Sequence, residues 1–247
     1  MKILKVLFFV FFLPINAQGD ALYYLLKIPN LKLQEIDKNN NLRYLLATKS
    51  FKVGIRENSV TCESAGSNLV DKKNNVIKES TKIYDKLFLK KINLKYIVIC
   101  KDMTVASIPA LGVPNHPLKT IIININTNDY NLTRTIHHEI FHIINRQYPE
   151  KFDSQIWKKF NEKSFKYSKC SPCNYKNGLN ISQKNDGFLS QYSKKNVSED
   201  MAEVYSFLMT KNGKIQKEIS EDKILKKKVD YIKTKIFEID NIFSFSQ

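Results

Sequence analysis

A change of pattern near Tyr130 constrains this chain more than any other feature. Ahead of it stand two runs rich in β-branched residues, Leu94 to Cys100 (LKYIVIC) and Lys119 to Asn126 (KTIIININ). A shorter alternating run covers Phe51 to Arg56, and all three read as strands. Tyr44 to Ala47 is a further apolar run, and Val76, Ile83 and Leu87 mark helical spacing between Val76 and Ile92. Ile108 to Pro114 reads as a loop. Behind Tyr130 the apolar positions recur with a helical period. They predict helices over roughly 132–147, 153–164, 198–211 and 214–240, the last with its stripe at Leu225, Val229, Ile232, Ile236 and Ile239. A mixed first half and a helical second half predict an α+β fold, a small mixed sheet followed by a mainly helical C-terminal half. The 247 residues hold one substantial domain or two small ones, and neither an internal repeat nor a low-complexity linker divides them.

The first residues bear on compartment. Lys2 and Lys5 precede an unbroken apolar run from Val6 to Leu13, Pro14 ends it, and Ala17 is a small residue suited to cleavage. This is the layout of a signal peptide over residues 1–17, with an apolar core too short to span a bilayer. A secreted or periplasmic chain over residues 18–247 is therefore expected, with no transmembrane segment. In an oxidising compartment the four cysteines read as disulfides, and we expect Cys62 with Cys100 and Cys170 with Cys173. Lys and Arg number 40 against 24 Asp and Glu, a net charge of +16. That excess suits an anionic partner, or reflects a bias towards Lys and Asn codons. No nucleic-acid motif accompanies it, so no nucleic-acid partner is expected, and Lys226, Lys227 and Lys228 read as a solvated helix face.

Three of the four histidines fall within six residues, and His138-Glu139-Ile140-Phe141-His142 is an HExxH pattern. On a helix, imidazoles four residues apart project from one face and reach one cation. Glu139 stands beside them, placed to take a proton from a water activated by the metal. Leu132, Ile136, Ile140 and Ile143 are spaced to face a core, and Asn131 or Thr133 suits the helix start. His137 falls off the ligand face and reads as a packing or supporting residue, while His116 reads as a solvated loop residue. Two histidines leave a catalytic zinc one protein ligand short, and no HxxGxxH extension follows His142. A carboxylate must come from elsewhere. Asn196 to Tyr205 offers Glu199 and Glu203 one helical turn apart behind a capping Ser198; one of them can bind the metal while the other holds a histidine.

HHEIFH followed at a distance by SEDMAE resembles the secreted zinc metallopeptidases whose third ligand is a remote glutamate. These are the bacterial zinc-binding metallopeptidases and, more remotely, the anthrax lethal factor and Pro-Pro endopeptidase group. Trp157 to Tyr167 and Gly187 to Tyr192 extend the resemblance, which covers about 95–210, taken as the catalytic core; the Cys170 to Cys173 segment departs from the pattern. The resemblance implies a zincin-like fold and a zinc-dependent peptidase acting on peptide or protein substrates. It implies Zn²⁺ held by His138, His142 and Glu199, with Glu203 in support. It further implies Glu139 as general base and Tyr192 facing the metal as an oxyanion donor. It also implies an edge strand along the cleft that pairs with substrate, for which Lys119 to Asn126 is the expected segment. Two other classes stand beside this one: an inactive metallopeptidase-like chain, against which the intact Glu139 argues, and a basic secreted binding protein.

Overall fold

A computed structural model describes residue 28 and residues 30–54, 59–168, 186–210 and 213–245. The expected leader at 1–17 and the cysteines at 170 and 173 lie outside the described residues.

Continuous β-branched runs are suited to strands buried on both faces, and this chain uses its two strongest runs in that way. β5 (Tyr96–Val105) is the central strand. Its first half pairs in parallel with β2 (Arg43–Ala47) on one side and β8 (Thr120–Asn124) on the other. β1 (Leu31–Ile36) closes one side, antiparallel to β2, and β7 (Gly112–Asn115) closes the other, antiparallel to β8. β5 runs on past this layer. Its second half pairs with β4 (Val60–Glu63) and the two-residue β6 (Ile108–Pro109), and β3 (Phe51–Val53) flanks β4.

Side chains alternate across a strand, so the sheet divides the core in two. Ile97, Ile99, Ile121 and Ile123 face the helices. Tyr96, Val98, Cys100 and Ile122 face a smaller cluster with Leu45, Phe51 and Cys62. Within that cluster Cys62 and Cys100 form a disulfide across a sequence separation of 38 residues, a link worth about 2–4 kcal/mol by restricting the unfolded chain.

Seven helices complete the described residues: α1 (Ser67–Thr81), α2 (Lys86–Lys91), α3 (Asp129–Gln147), α4 (Ser154–Lys158), α5 (Val197–Met209), α6 (Gly213–Glu221) and α7 (Lys223–Ile239), with a 3₁₀ turn at Tyr192–Lys194. The architecture is α+β, with a helical C-terminal part. No described helix is long and apolar enough to cross a membrane.

Several expectations need correction. Thr120–Asn124 is an interior strand, buried at all five positions; the edge on its side of the sheet is β7, which overlaps the segment read as a loop. Gly112, Val113 and Pro114 carry no strand-like periodicity, so only pairing with β8 makes them a strand. The region from Val76 to Ile92 is two helices, and Leu87 is 62% exposed. The helix expected over 153–164 is the short α4, and the long final helix is broken at Asp222, whose side chain accepts from the amides of Ile224 and Leu225 and so starts α7. Lys228 is not solvated but fully buried, while Lys226 and Lys227 are exposed.

Candidate metal centre

α3 begins at Asn128, whose side chain accepts from the Asn131 amide, so neither Asn131 nor Thr133 caps it. Leu132, Ile136, Ile140 and Ile143 are all fully buried and lock the helix against the sheet and α5. That packing aims the opposite flank, carrying His138 and His142, at the first turn of α5. α5 is capped by Asn196 rather than Ser198, and the capping bond is made to the amide of Glu199 itself, 2.9 Å long. The cap therefore fixes the backbone from which the Glu199 side chain springs.

Three atoms converge there. His138 Nε2 is 3.0 Å and His142 Nε2 is 3.3 Å from Glu199 Oε2, and the two Nε2 atoms are 3.1 Å apart. One ligand atom from each of the three residues lies within 4.8 Å of the others. The outer ring nitrogens are engaged elsewhere. His138 Nδ1 donates to Glu203 Oε1 at 3.0 Å, and His142 Nδ1 is 3.3 Å from Ser198 Oγ. Both Nε2 positions thus turn inward towards a carboxylate, an arrangement that fits a two-histidine, one-carboxylate zinc site held by partners behind the ligands.

Charge is distributed to match. Burial opposes a proton on His138, but hydrogen bonds to Glu199 and Glu203 prevail and hold its pKa up at about 10. Burial likewise opposes ionisation of Glu199, yet His138 and His142 hold its carboxyl well below the usual range. Glu203 overcomes the same burial through Arg134, His138 and Ser190 and is held near 2. Its Oε2 accepts from Arg134 Nη2 at 2.7 Å and from Ser190 Oγ, and the Arg134 guanidinium lies 4.1 Å from the centre of the Phe207 ring.

Glu139 is buried beside the cluster, and its Oε2 has no hydrogen-bond partner. Burial raises its pKa, with His138 and His142 opposing. Gly112 of β7 makes room for it: a Cβ there would stand 2.5 Å from Glu139 Cγ and 2.6 Å from Oε1. Tyr192 lies at the rim with its ring centre 5.8 Å from that of His138, and burial followed by the Glu199 charge pushes its phenol up, so it stays protonated at neutral pH.

The other candidates fall outside this cluster. His137 faces the opposite side of α3, where its Nδ1 accepts from the Tyr84 hydroxyl at 2.6 Å and burial lowers its pKa to about 3. His116 is half-buried, not solvated, and bonds Gln147 at 2.9 Å. Asp200 turns away from the metal cluster; its Oδ2 accepts from Trp157, Tyr167 and Lys228. Sequence reasoning did not find Gly112, Arg134, Ser190 or Lys195. Arg134 and Lys195 carried a signal, since they precede His138 and Glu199 by four residues.

No curated protein matches this sequence. Among solved structures, the chain is similar to the crystal structure of a putative zinc-binding metallo-peptidase from Bacteroides caccae, with 14% identity, 75% of each chain covered and a TM-score of 0.47. The family model described as "Putative zinc-binding metallo-peptidase" matches residues 67–240, from α1 to the end of α7. With more than half of its length matched, the chain belongs to that zinc-binding metallo-peptidase family.

Proposed function

We propose that this chain is an exported zinc-dependent peptidase in which His138, His142 and Glu199 hold the metal. The observation that carries the reading is the convergence of those three side chains beside the unpartnered Oε2 of Glu139. A zinc ion bound there would supply a Lewis acid that polarises a peptide carbonyl and acidifies water. Glu139 takes the proton of the attacking water and returns it to the leaving nitrogen; its raised pKa suits a group that must both accept and release. The Tyr192 hydroxyl donates to the oxyanion as it forms. Glu203, held by Arg134 and Ser190, keeps the His138 ring in the tautomer that leaves Nε2 free.

A peptide substrate would lie extended along β7, whose described pairing is with β8 alone. Export rests on the leader-like composition of residues 1–17, and the Cys62–Cys100 disulfide is compatible with it. We take residues 18–247 as the peptidase domain.

The test is zinc content and peptide hydrolysis together. The wild type should hold one zinc per chain and cleave a quenched fluorescent peptide library until the metal is chelated. Glu199→Ala should lose the zinc, whereas Glu203→Ala should weaken affinity or activity by about 10–100-fold. Full zinc retention by Glu199→Ala would remove it from the ligand set.

A further inference from the structure

Lys195 is set between two groups of the site by local structure. The 3₁₀ turn closes with its amide donating to the Tyr192 carbonyl at 3.1 Å, and the extended Asn196 then caps α5, which leaves Lys195 between the turn that carries Tyr192 and the helix that carries Glu199. Its ammonium donates to the Tyr192 hydroxyl oxygen at 3.3 Å and lies 4.8 Å from the ring centre. It is also 3.8 Å from Glu199 Oε1, the oxygen opposite the one that meets the histidines. The side chain is only 16% exposed. Its neighbour Lys194 points elsewhere, paired with Asp186 at 2.6 Å.

Donor and acceptor counting gives this placement a consequence. An ammonium has donors only, whereas a phenol has one proton and an accepting oxygen. Once Lys195 occupies the accepting side of Tyr192, the phenol proton must point to another acceptor. The acceptor within its reach is Glu199, whose carboxylate hydrogen-bonds the Tyr192 side chain.

We propose that Lys195 is a positioning residue that fixes the direction of the Tyr192 hydroxyl, so that it presents its proton to the metal centre. This rests on the peptidase reading, in which Tyr192 donates to the tetrahedral oxyanion. Lys195 acts through Tyr192 and need not touch the substrate.

The experiment compares zinc-loaded wild type with Lys195→Met, Lys195→Arg, Tyr192→Phe and the Lys195→Met/Tyr192→Phe pair. It reads zinc affinity by chelator competition, calorimetric binding of the phosphinic analogue of acetyl-Ala-Ala-amide, and kcat and KM on a quenched fluorescent peptide. Lys195→Met should bind the phosphinate about tenfold more weakly and lose about tenfold in kcat, a fraction of what one oxyanion donor is worth. KM and zinc affinity should stay near the wild-type values. Lys195→Arg should restore most of the loss, and Lys195→Met should add little in the Tyr192→Phe background. A rise confined to KM would instead make Lys195 a contact for a substrate carboxylate. That result, a loss fully additive with Tyr192→Phe, or an unchanged kcat and phosphinate affinity would each overturn the proposal. A wild type that binds the phosphinate without hydrolysing peptide would refute the peptidase reading while the binding series still decides Lys195. A wild type that does neither would remove both.

Discussion

Replacing Gly112 with alanine should separate metal binding from hydrolysis. The added methyl would stand 2.5 Å from Glu139 Cγ and 2.8 Å from Cδ, against the 3.4 Å at which ordinary contact begins. The carboxylate must therefore retreat by about 0.9 Å, or β7 must pull away from its pairing with β8 at Ile123. The side chain is the softer partner, because its Oε2 has no hydrogen bond to lose. Misplacing a reacting group by about 1 Å costs roughly 100-fold, or about 2.7 kcal/mol of barrier. Overpacking adds a folding cost of about 1–3 kcal/mol. The metal should be unaffected, since its proposed ligands come from α3 and α5. We expect Gly112→Ala to keep one zinc per chain and lose about 100-fold in kcat. The assay is steady-state cleavage of a quenched fluorescent peptide at matched zinc content. A kcat within about threefold of wild type would refute the idea that β7 positions Glu139.

Two further predictions follow from buried charge. Lys228→Met strands the Asp200 carboxylate and takes a donor from the Gly187 carbonyl, so urea unfolding should show a loss of about 3–5 kcal/mol; less than about 1 kcal/mol would mean the pair is not held as described. His138 in the metal-free protein keeps a proton up to about pH 10, so at neutral pH zinc must displace it. Apparent zinc affinity should therefore rise about tenfold per pH unit from pH 7 and level off near 10, with about one proton released per zinc in calorimetry across buffers of different ionisation enthalpy. No release at pH 7 would contradict that state of His138.

How much of this is legible in the sequence depends on the range of the contact. His138 and His142 are related by helical geometry within one turn, so spacing alone shows that they share a face. Their meeting with Glu199 depends on α3 packing against α5, which periodicity can suggest but not orient. β7 is illegible for a different reason. Gly112 and Pro114 flank the single strand former Val113 with residues of little strand propensity, and the conformation of all three comes from the Thr120–Asn124 strand beside them. That strand's unbroken β-branched run is itself the mark of an interior position. Lys228 misleads because it stands in a run of three lysines, yet helical geometry turns it inward to Asp200 and over the Phe188 ring, 3.8 Å from the centroid. Charge predicts exposure only until a buried partner is available. Gly112 shows the limit most clearly: its need for a missing side chain is set by Glu139, which no local pattern reveals.

The central claim is tested most directly by comparing peptide hydrolysis in the wild type and Glu139→Gln, both zinc-loaded to one metal per chain. The amide preserves the size of the side chain but cannot accept the proton, so cleavage of the quenched fluorescent library should fall by about 10²–10⁴-fold with zinc content unchanged. Equal cleavage by the two proteins, or none by the fully zinc-loaded wild type, would contradict the account.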